Sequence, residues 1–387
     1  TPSNSSAASD VYKRQRQDGK MSEPIRVAHV VGKMCGGGVE AVVMNYYRHI
    51  DRSRVQFDFL VDEDSALVPR EEIGSLGGRV FVVPPYQRLL AYMGRLEGLF
   101  SDEGWSIVHS HVNALSVFPL RAAARAGVPV RIAHSHSTAG KGEPVKNALK
   151  RLLRTQANRY PTHRLACSRY AGEWLFGKEV ELEVVPNAID MNAFAFDERW
   201  RSKARQMWNI EDGQVVIGHV GRLAPVKNQS FLIEVLSCLR KSGVDARLVL
   251  VGEGKDRIAI QNRAACLGLS EYMVMPGQMD SSLAYQGFDA FAFPSTYEGF
   301  GMAALEAQRA GLPCLLSDAI TREVDVTGAV RFLPIDDPSA WADALCALRA
   351  GDRVPVRPER FSYYDIDAAA QKLAALYIAL DGERAGK

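Results

Sequence analysis

Two acids eight residues apart give the sequence its strongest chemical signal. Glu298 lies in the loop Tyr297-Glu298-Gly299-Phe300-Gly301, and Glu306 lies in the helix expected to run on to about Ala310. An apolar run, Ala290–Pro294, leads into the loop. Gly311 is placed to end the helix, with Pro313 just beyond. Glycines at a strand-to-helix turn let a ligand approach the backbone, and the free N–H groups of the helix start favour an anion. In the plain reading Glu298 caps the helix and Glu306 is solvated. But Glu306 sits among Ala303, Ala304, Leu305 and Ala307, in a helix expected to pack on a sheet. A carboxylate there needs a hydrogen-bonding purpose, which a sugar hydroxyl would supply.

Three other segments could contribute. In GHVGRLAPVKN (218–228), Arg222 and Lys227 share one strand-to-helix loop. A planar donor fork and a point charge suit a diphosphate, although surface cations would look the same. The loop's place at the carboxyl edge of a parallel strand favours the ligand. In GKMCGGGVE (32–40), Gly36-Gly37-Gly38 lets a phosphate or sugar come close, but a tight turn explains it equally well, and it is neither GxGxxG nor a P-loop. His109-Ser110-His111 and His134-Ser135-His136 each close a strand, so both rings of a pair can face the same way. They read as hydrogen-bonded core histidines, as a metal site, or as a cleft rim facing a sugar hydroxyl. The lack of a carboxylate cluster beside them argues against metal.

These loops need a scaffold. Short apolar runs alternate with amphipathic stretches: Ile25–Val31, Val55–Val61, Arg79–Val83, Ser106–His111, Val130–His136, His163–Ser168 and Glu183–Pro186 read as strands. Val39–His49, Leu89–Phe100, Val117–Ala126 and Val145–Tyr160 read as helices between them. After a break over Asn187–Trp208 the rhythm restarts with Val215–Val220, Arg247–Val251, Tyr272–Met275, Ala290–Pro294, Pro313–Ser317 and Val330–Leu333. The reading is α/β: two Rossmann-like domains, 21–190 and 191–362, facing a central cleft. A tail helix over 363–382, with Ile366, Leu373, Leu376, Tyr377 and Leu380 on one face, is expected to pack back on the first domain. Residues 1–20 are polar and Ser-rich, and read as a disordered extension or a remnant ahead of the fold.

Composition bounds the rest. A chain of 387 residues exceeds one ordinary core, and a net charge of +2 gives no reason to expect nucleic acid. No apolar run is long enough to span a bilayer, and no secretory signal is visible. Cys35, Cys167, Cys238, Cys266, Cys314 and Cys346 form no CxxC pair and mostly sit in apolar runs, which suggests buried thiols in a reducing, cytoplasmic setting. Lys141–Tyr170 holds eight Lys/Arg against one acid. Its basic helix, 145–160, is either a solvated helix or a surface for anionic lipid at the inner face of a membrane.

Taken in order, GGGVE, VVPNAID (184–190), GRLAPVKN, VGEG (251–254) and EGFGMAALEAQRAGLPCL resemble glycosyltransferase family 4, with the GT-B fold, from about Ile25 to Leu380. The openings RVAHVVGKMCGGGVEAVVMNYYRHID and RIAHSHST are similar to its capsular and exopolysaccharide subgroup. Ala188 stands where that family commonly has glycine. The resemblance implies transfer of a sugar from a nucleotide donor, UDP being the commonest carrier, with retention of configuration and no required metal or other cofactor. It implies a glycan or lipid-linked saccharide as acceptor. Arg222 and Lys227 would hold the diphosphate, Glu306 the ribose, and Glu298 the donor sugar near the N–H groups of Phe300, Gly301 and Met302. Gly37 and Gly38 would approach the phosphates, and 275–278, including Gly277, would hold the base. His136, with His134 as the alternative, would lie near the reacting sugar. A front-face mechanism asks for no nucleophilic side chain. Asp62/Asp64 and Asp365/Asp367 resemble the metal motif of the other major glycosyltransferase fold, and both are read as solvated acids. An epimerase or hydrolase on the same architecture, or a non-catalytic sugar binder, are the rival readings.

Overall fold

The computed structural model describes residues 23–136 and 150–385. Two parallel sheets organise it. The first contains β1 (Ile25–Gly32), β2 (Val55–Asp62), β3 (Arg79–Val83), β4 (Ile107–Ser110), β5 (Val130–Ser135), β6 (His163–Ala166) and β7 (Glu183–Val184), in the order β3-β2-β1-β4-β5-β6-β7. The second contains β8 (Val215–Val220), β9 (Ala246–Val251), β10 (Met273–Gly277), β11 (Ala290–Phe293), β12 (Cys314–Ser317) and β13 (Arg331–Leu333), in the order β10-β9-β8-β11-β12-β13. Helices cover both faces, so strands such as β2 are buried along their whole length. In each sheet the order reverses beside the first strand, between β1 and β4 and between β8 and β11. Parallel sheets leave a crevice at such a point, beyond the carboxyl ends of the strands.

Each sheet also holds one buried carboxylate between two arginines. Asp58 on β2 accepts from Arg26, Arg79 and the Trp105 indole. Those hydrogen bonds outweigh its desolvation and hold its carboxyl below the usual range. Asp289, just before β11, accepts from Arg201 and Arg205 at 2.7 and 3.0 Å and from the Val216 and Gly351 amides. The helix Glu198–Met207 that carries both arginines falls in the segment read as a break. Its buried face is made of Ala204, Arg201 and Arg205, so no apolar stripe announces it.

The halves are joined at 186–190. Ile189 N–H donates to Tyr364 O at 2.9 Å, and Ile366 N–H returns to Ile189 O at 3.1 Å. Ala188 is buried, and its carbonyl accepts from Asn45 Nδ2. The tail helix, Ile366–Ala385, then packs on the first domain, adding Ile366, Leu373, Tyr377 and Leu380 to its core. Leu376 lies at the edge of that cluster.

Several expectations change. Of the helix read over 145–160, residues 145–149 lie outside the described residues; helix is found over 150–154, followed by turns. Asp62 is buried rather than solvated, and burial pushes its carboxyl up to about 6. Asp365 caps the tail helix, accepting from the Asp367 and Ala368 amides. Cys266 and Cys346 are exposed, because each ends a helix on its outer side. Among the described residues no helix is long and apolar enough to cross a membrane.

Candidate active site

The cleft between the sheets is about 610 Å³. A nucleotide-sugar needs a site of this order. Its second-domain wall is made by the loops that follow β8 and β11, the two strands at the reversal point. The loops are joined by the Thr296 N–H, which donates to Val226 O at 2.9 Å. That bond brings Lys227 and Glu298 together: Lys227 Nζ is 2.7 Å from Glu298 Oε1 and 4.9 Å from the centre of the Phe293 ring. Both side chains are largely buried but still line the cleft. Glu298 is therefore an ion-pair partner, not a helix cap. The cap position belongs to Gly301, whose φ of +96° excludes most side chains. Arg222 lines the same wall and is exposed.

Glu306 lies about one turn into the helix Met302–Arg309 and reaches the cleft. Its partner is Tyr285, whose hydroxyl donates at 2.8 Å. Burial raises the Glu306 carboxyl to about 7, opposed by that hydrogen bond and by Lys227. Tyr285 belongs to a helix that no motif marked, Ser281–Gly287, and it comes to Glu306 only through packing on β11. Phe300, Gly301 and Met302 also line the cleft.

The VGEG run has a structural reason. A Cβ on Gly252 would lie 2.2 Å from Gly221 O, and one on Gly254 would lie 2.1 Å from Leu223 O. Bare backbone lets the loop after β9 extend the ladder: Leu223 N–H donates to Glu253 O, and Gly252 N–H to Gly277 O. Gly277 therefore braces the wall from behind, with Gln278 and Met279 facing the cleft. Gly218 has a similar cause, since a side chain there would strike the Phe288 ring.

The first-domain wall differs. Gly37 and Gly38 line the cleft, but Glu40 has taken three of the loop's donors: its carboxylate accepts from Cys35, Gly36 and Gly37 N–H at 2.7, 2.6 and 2.8 Å. Gly37 thus offers close approach and not a free N–H group. Asn187, from the VVPNAID run, also lines the cleft, and its Oδ1 has no partner among the described residues. His136 faces the cleft, while His134 lies behind it. Both HxH pairs, with His29 on β1, form a buried cluster of five imidazoles that share one face of the sheet. Burial drives His29 and His136 down to about 3, and the other three well below their ordinary value. His29 carries no motif, and only strand register brings it beside His109.

Comparisons with known proteins agree with this architecture. Over most of its length the chain superposes on solved two-domain glycosyltransferases. Anabaena HepE, solved with UDP and glucose, matches with a TM-score of 0.71 at 18% identity, covering 94% of this chain and 98% of that one. Sucrose-phosphate synthase from Thermosynechococcus elongatus gives a TM-score of 0.70 at 16% identity, covering 92% and 99%. At these identities the likeness shows the GT-B fold. Sequence carries the rest. The family model for glycosyl transferases group 1 matches residues 214–350, and that for the glycosyl transferase 4-like domain matches 37–188. EpsF of Bacillus subtilis (strain 168), described provisionally as a glycosyltransferase, is 36% identical over 340 residues, covering 85% of this chain and 88% of the relative. The Escherichia coli UDP-Gal:alpha-D-GlcNAc-diphosphoundecaprenol alpha-1,3-galactosyltransferase is 26% identical over 312 residues, covering 76% and 79%. The chain belongs to glycosyltransferase family 4.

Proposed function

We propose that this enzyme transfers a hexose from a UDP-sugar, with retention, to a lipid-linked or glycan acceptor in cell-surface polysaccharide synthesis. The observation that carries the reading is the Lys227–Glu298 pair, set with Arg222 and Glu306 on one wall at the sheet's reversal point. Arg222 and Lys227 bind the diphosphate and offset the negative charge that grows on it as the sugar leaves. This supply of cations is what a metal would otherwise provide. When phosphate oxygens engage Lys227, Glu298 can accept from the donor sugar's hydroxyls. Glu306, ionised, accepts from the ribose. The amides of Phe300, Gly301 and Met302 lie at a helix start and face the same anion.

The UDP carrier is supported by the neighbour solved with UDP and by the galactosyltransferase relative. That relative's diphosphoundecaprenol-linked substrate supports a lipid-linked acceptor here, met at the inner face of a membrane. Lys150, Arg151 and Arg154 and the exposed Leu152 belong to the surface that would meet it. Recovery with anionic but not neutral vesicles is the expected flotation result.

A thermal-shift screen over UDP-, GDP- and ADP-sugars tests the donor, since a ligand of the folded state raises its melting temperature. A shift with UDP-sugars alone is expected. A shift with another group only would replace the carrier. Rapid hydrolysis or epimerisation of the donor with no acceptor present would replace transfer as the activity.

A further inference from the structure

The five buried histidines are hydrogen-bonded in two chains. In one, His136 Nε2 meets His111 Nδ1 at 2.8 Å, and His111 Nε2 meets His29 Nδ1 at 2.9 Å. In the other, His134 Nδ1 meets His109 Nε2 at 3.1 Å, and His109 Nδ1 meets the Tyr377 hydroxyl at 2.6 Å. The chains stack: His109 on His111 at 4.2 Å and His134 on His136 at 4.0 Å between ring centres. Two sets of three have ring nitrogens within 4.8 Å of one another, close enough to raise the question of a metal. A metal needs lone pairs that converge on a third point. In the first chain the nitrogens face one another instead.

Counting protons fixes the state of that chain. A neutral imidazole carries one N–H and one lone pair. Three rings share three N–H groups between two internal bonds. One end therefore keeps a free N–H and the other a bare lone pair, and all three rings must be protonated on the same nitrogen. The ends are His136 Nδ1 and His29 Nε2, both without a partner among the described residues. His29 packs on Phe57, ring centres 3.8 Å apart, whereas His136 lines the cleft. An orphaned buried N–H is rarer and costlier than an unused lone pair. The N–H thus belongs at His136, the end of the chain whose residue borders the cleft. Burial keeps the rings neutral, so the chain holds a tautomer and not a charge.

We propose that His29 and His111 are positioning residues that lock His136 in its Nδ1–H form, giving the cleft a neutral, oriented donor for an oxygen of the transferred sugar or its phosphate. The proposal rests on the cleft being the donor site. The tautomers are read without any ligand, so the two can fail separately.

The test is ring-nitrogen NMR of the protein carrying nitrogen-15-labelled histidine, with signals assigned by single substitutions. His29, His111 and His136 are expected all as Nδ1–H. An Nε2–H His136, an imidazolium in the chain, or shifts typical of metal-bound imidazole would overturn the proposal. Kinetics give a second arm. The amide of His111→Asn stands where Nδ1 stands and can still donate to His136. His111→Phe cannot. Transfer by H111F should fall about tenfold in kcat/KM, the scale of one misdirected hydrogen bond, with H111N within about threefold of the parent. Equal losses in both variants would overturn the lock. Correct tautomers with His136 signals unmoved by UDP-sugar would leave the lock standing and break the assignment of the cleft.

Discussion

The two walls of the cleft are built from opposite materials. On the second domain the ligand meets charged and titrating groups: Lys227 against Glu298, Arg222 exposed on the same wall, and Glu306, whose carboxyl burial raises to about 7. On the first it meets neutral groups: His136 at the end of an imidazole chain, Asn187, and a glycine loop in which Glu40 already accepts from Gly36 and Gly37 N–H. The difference matches what each wall would face. A diphosphate leaving group gains charge during transfer and is stabilised by fixed cations. The hydroxyls of a sugar and its acceptor are neutral, and a stray charge beside them would cost desolvation and give no return.

Breaking the charged wall should have the largest effect. Lys227→Ala removes the cation and leaves Glu298 buried without its partner; kcat/KM for transfer is expected to fall about 100–1,000-fold, the range seen when a transition-state charge contact is lost. Steady-state kinetics check it, and activity near that of the parent would sink the assignment of this wall. Gly254→Ala comes next. It forces a Cβ to within 2.1 Å of Leu223 O, so the loops after β8 and β9 must separate. Weaker UDP-sugar binding by calorimetry is expected, together with a loss of about 2–4 kcal/mol in denaturant unfolding.

Glu306 sharpens the comparison through pH. Its folded-state value, about 7, lies above its ordinary 4.5. The folded protein therefore binds this proton more tightly. The resulting stability is complete below pH 4.5 and is lost as pH rises through about 7. The ligand-free protein should lose roughly 2 kcal/mol across that window, allowing for the group's partial exposure. Glu306→Gln should flatten the melting curve against pH. Donor affinity should move the other way, rising with pH as the carboxylate ionises, and the Gln variant should lose that slope too. On the neutral wall the effect is smaller. Tyr377→Phe removes the hydroxyl at His109 and should cost about 1 kcal/mol in unfolding, with little change in donor KM.

Much of the charged wall was legible in the sequence. Glu298, Glu306, Arg222 and Lys227 each lie on a strand-to-helix loop or the helix after it, and local pattern is enough to mark those. The strands were legible for the same reason, since buried parallel strands are short apolar runs. The arginine-bearing helix Glu198–Met207 was not, because its buried face is partly charged. Tyr285 and His29 were also illegible: neither sits in a motif, and each acquires its role from a residue far away in sequence.

The sequence by itself determined the two-sheet rhythm, the charged loops, the tail helix and the family. Each of these is written in residues close together along the chain, where periodicity and turn chemistry act. Only the tertiary structure decided that Glu298 pairs with Lys227 at 2.7 Å, that Glu40 closes the glycine loop, and that two HxH runs join His29 and Tyr377 in stacked chains. Those contacts depend on strand register, on strand order at the reversal point and on the tail's return to the first domain. They arise from packing between distant segments, which local spacing cannot encode.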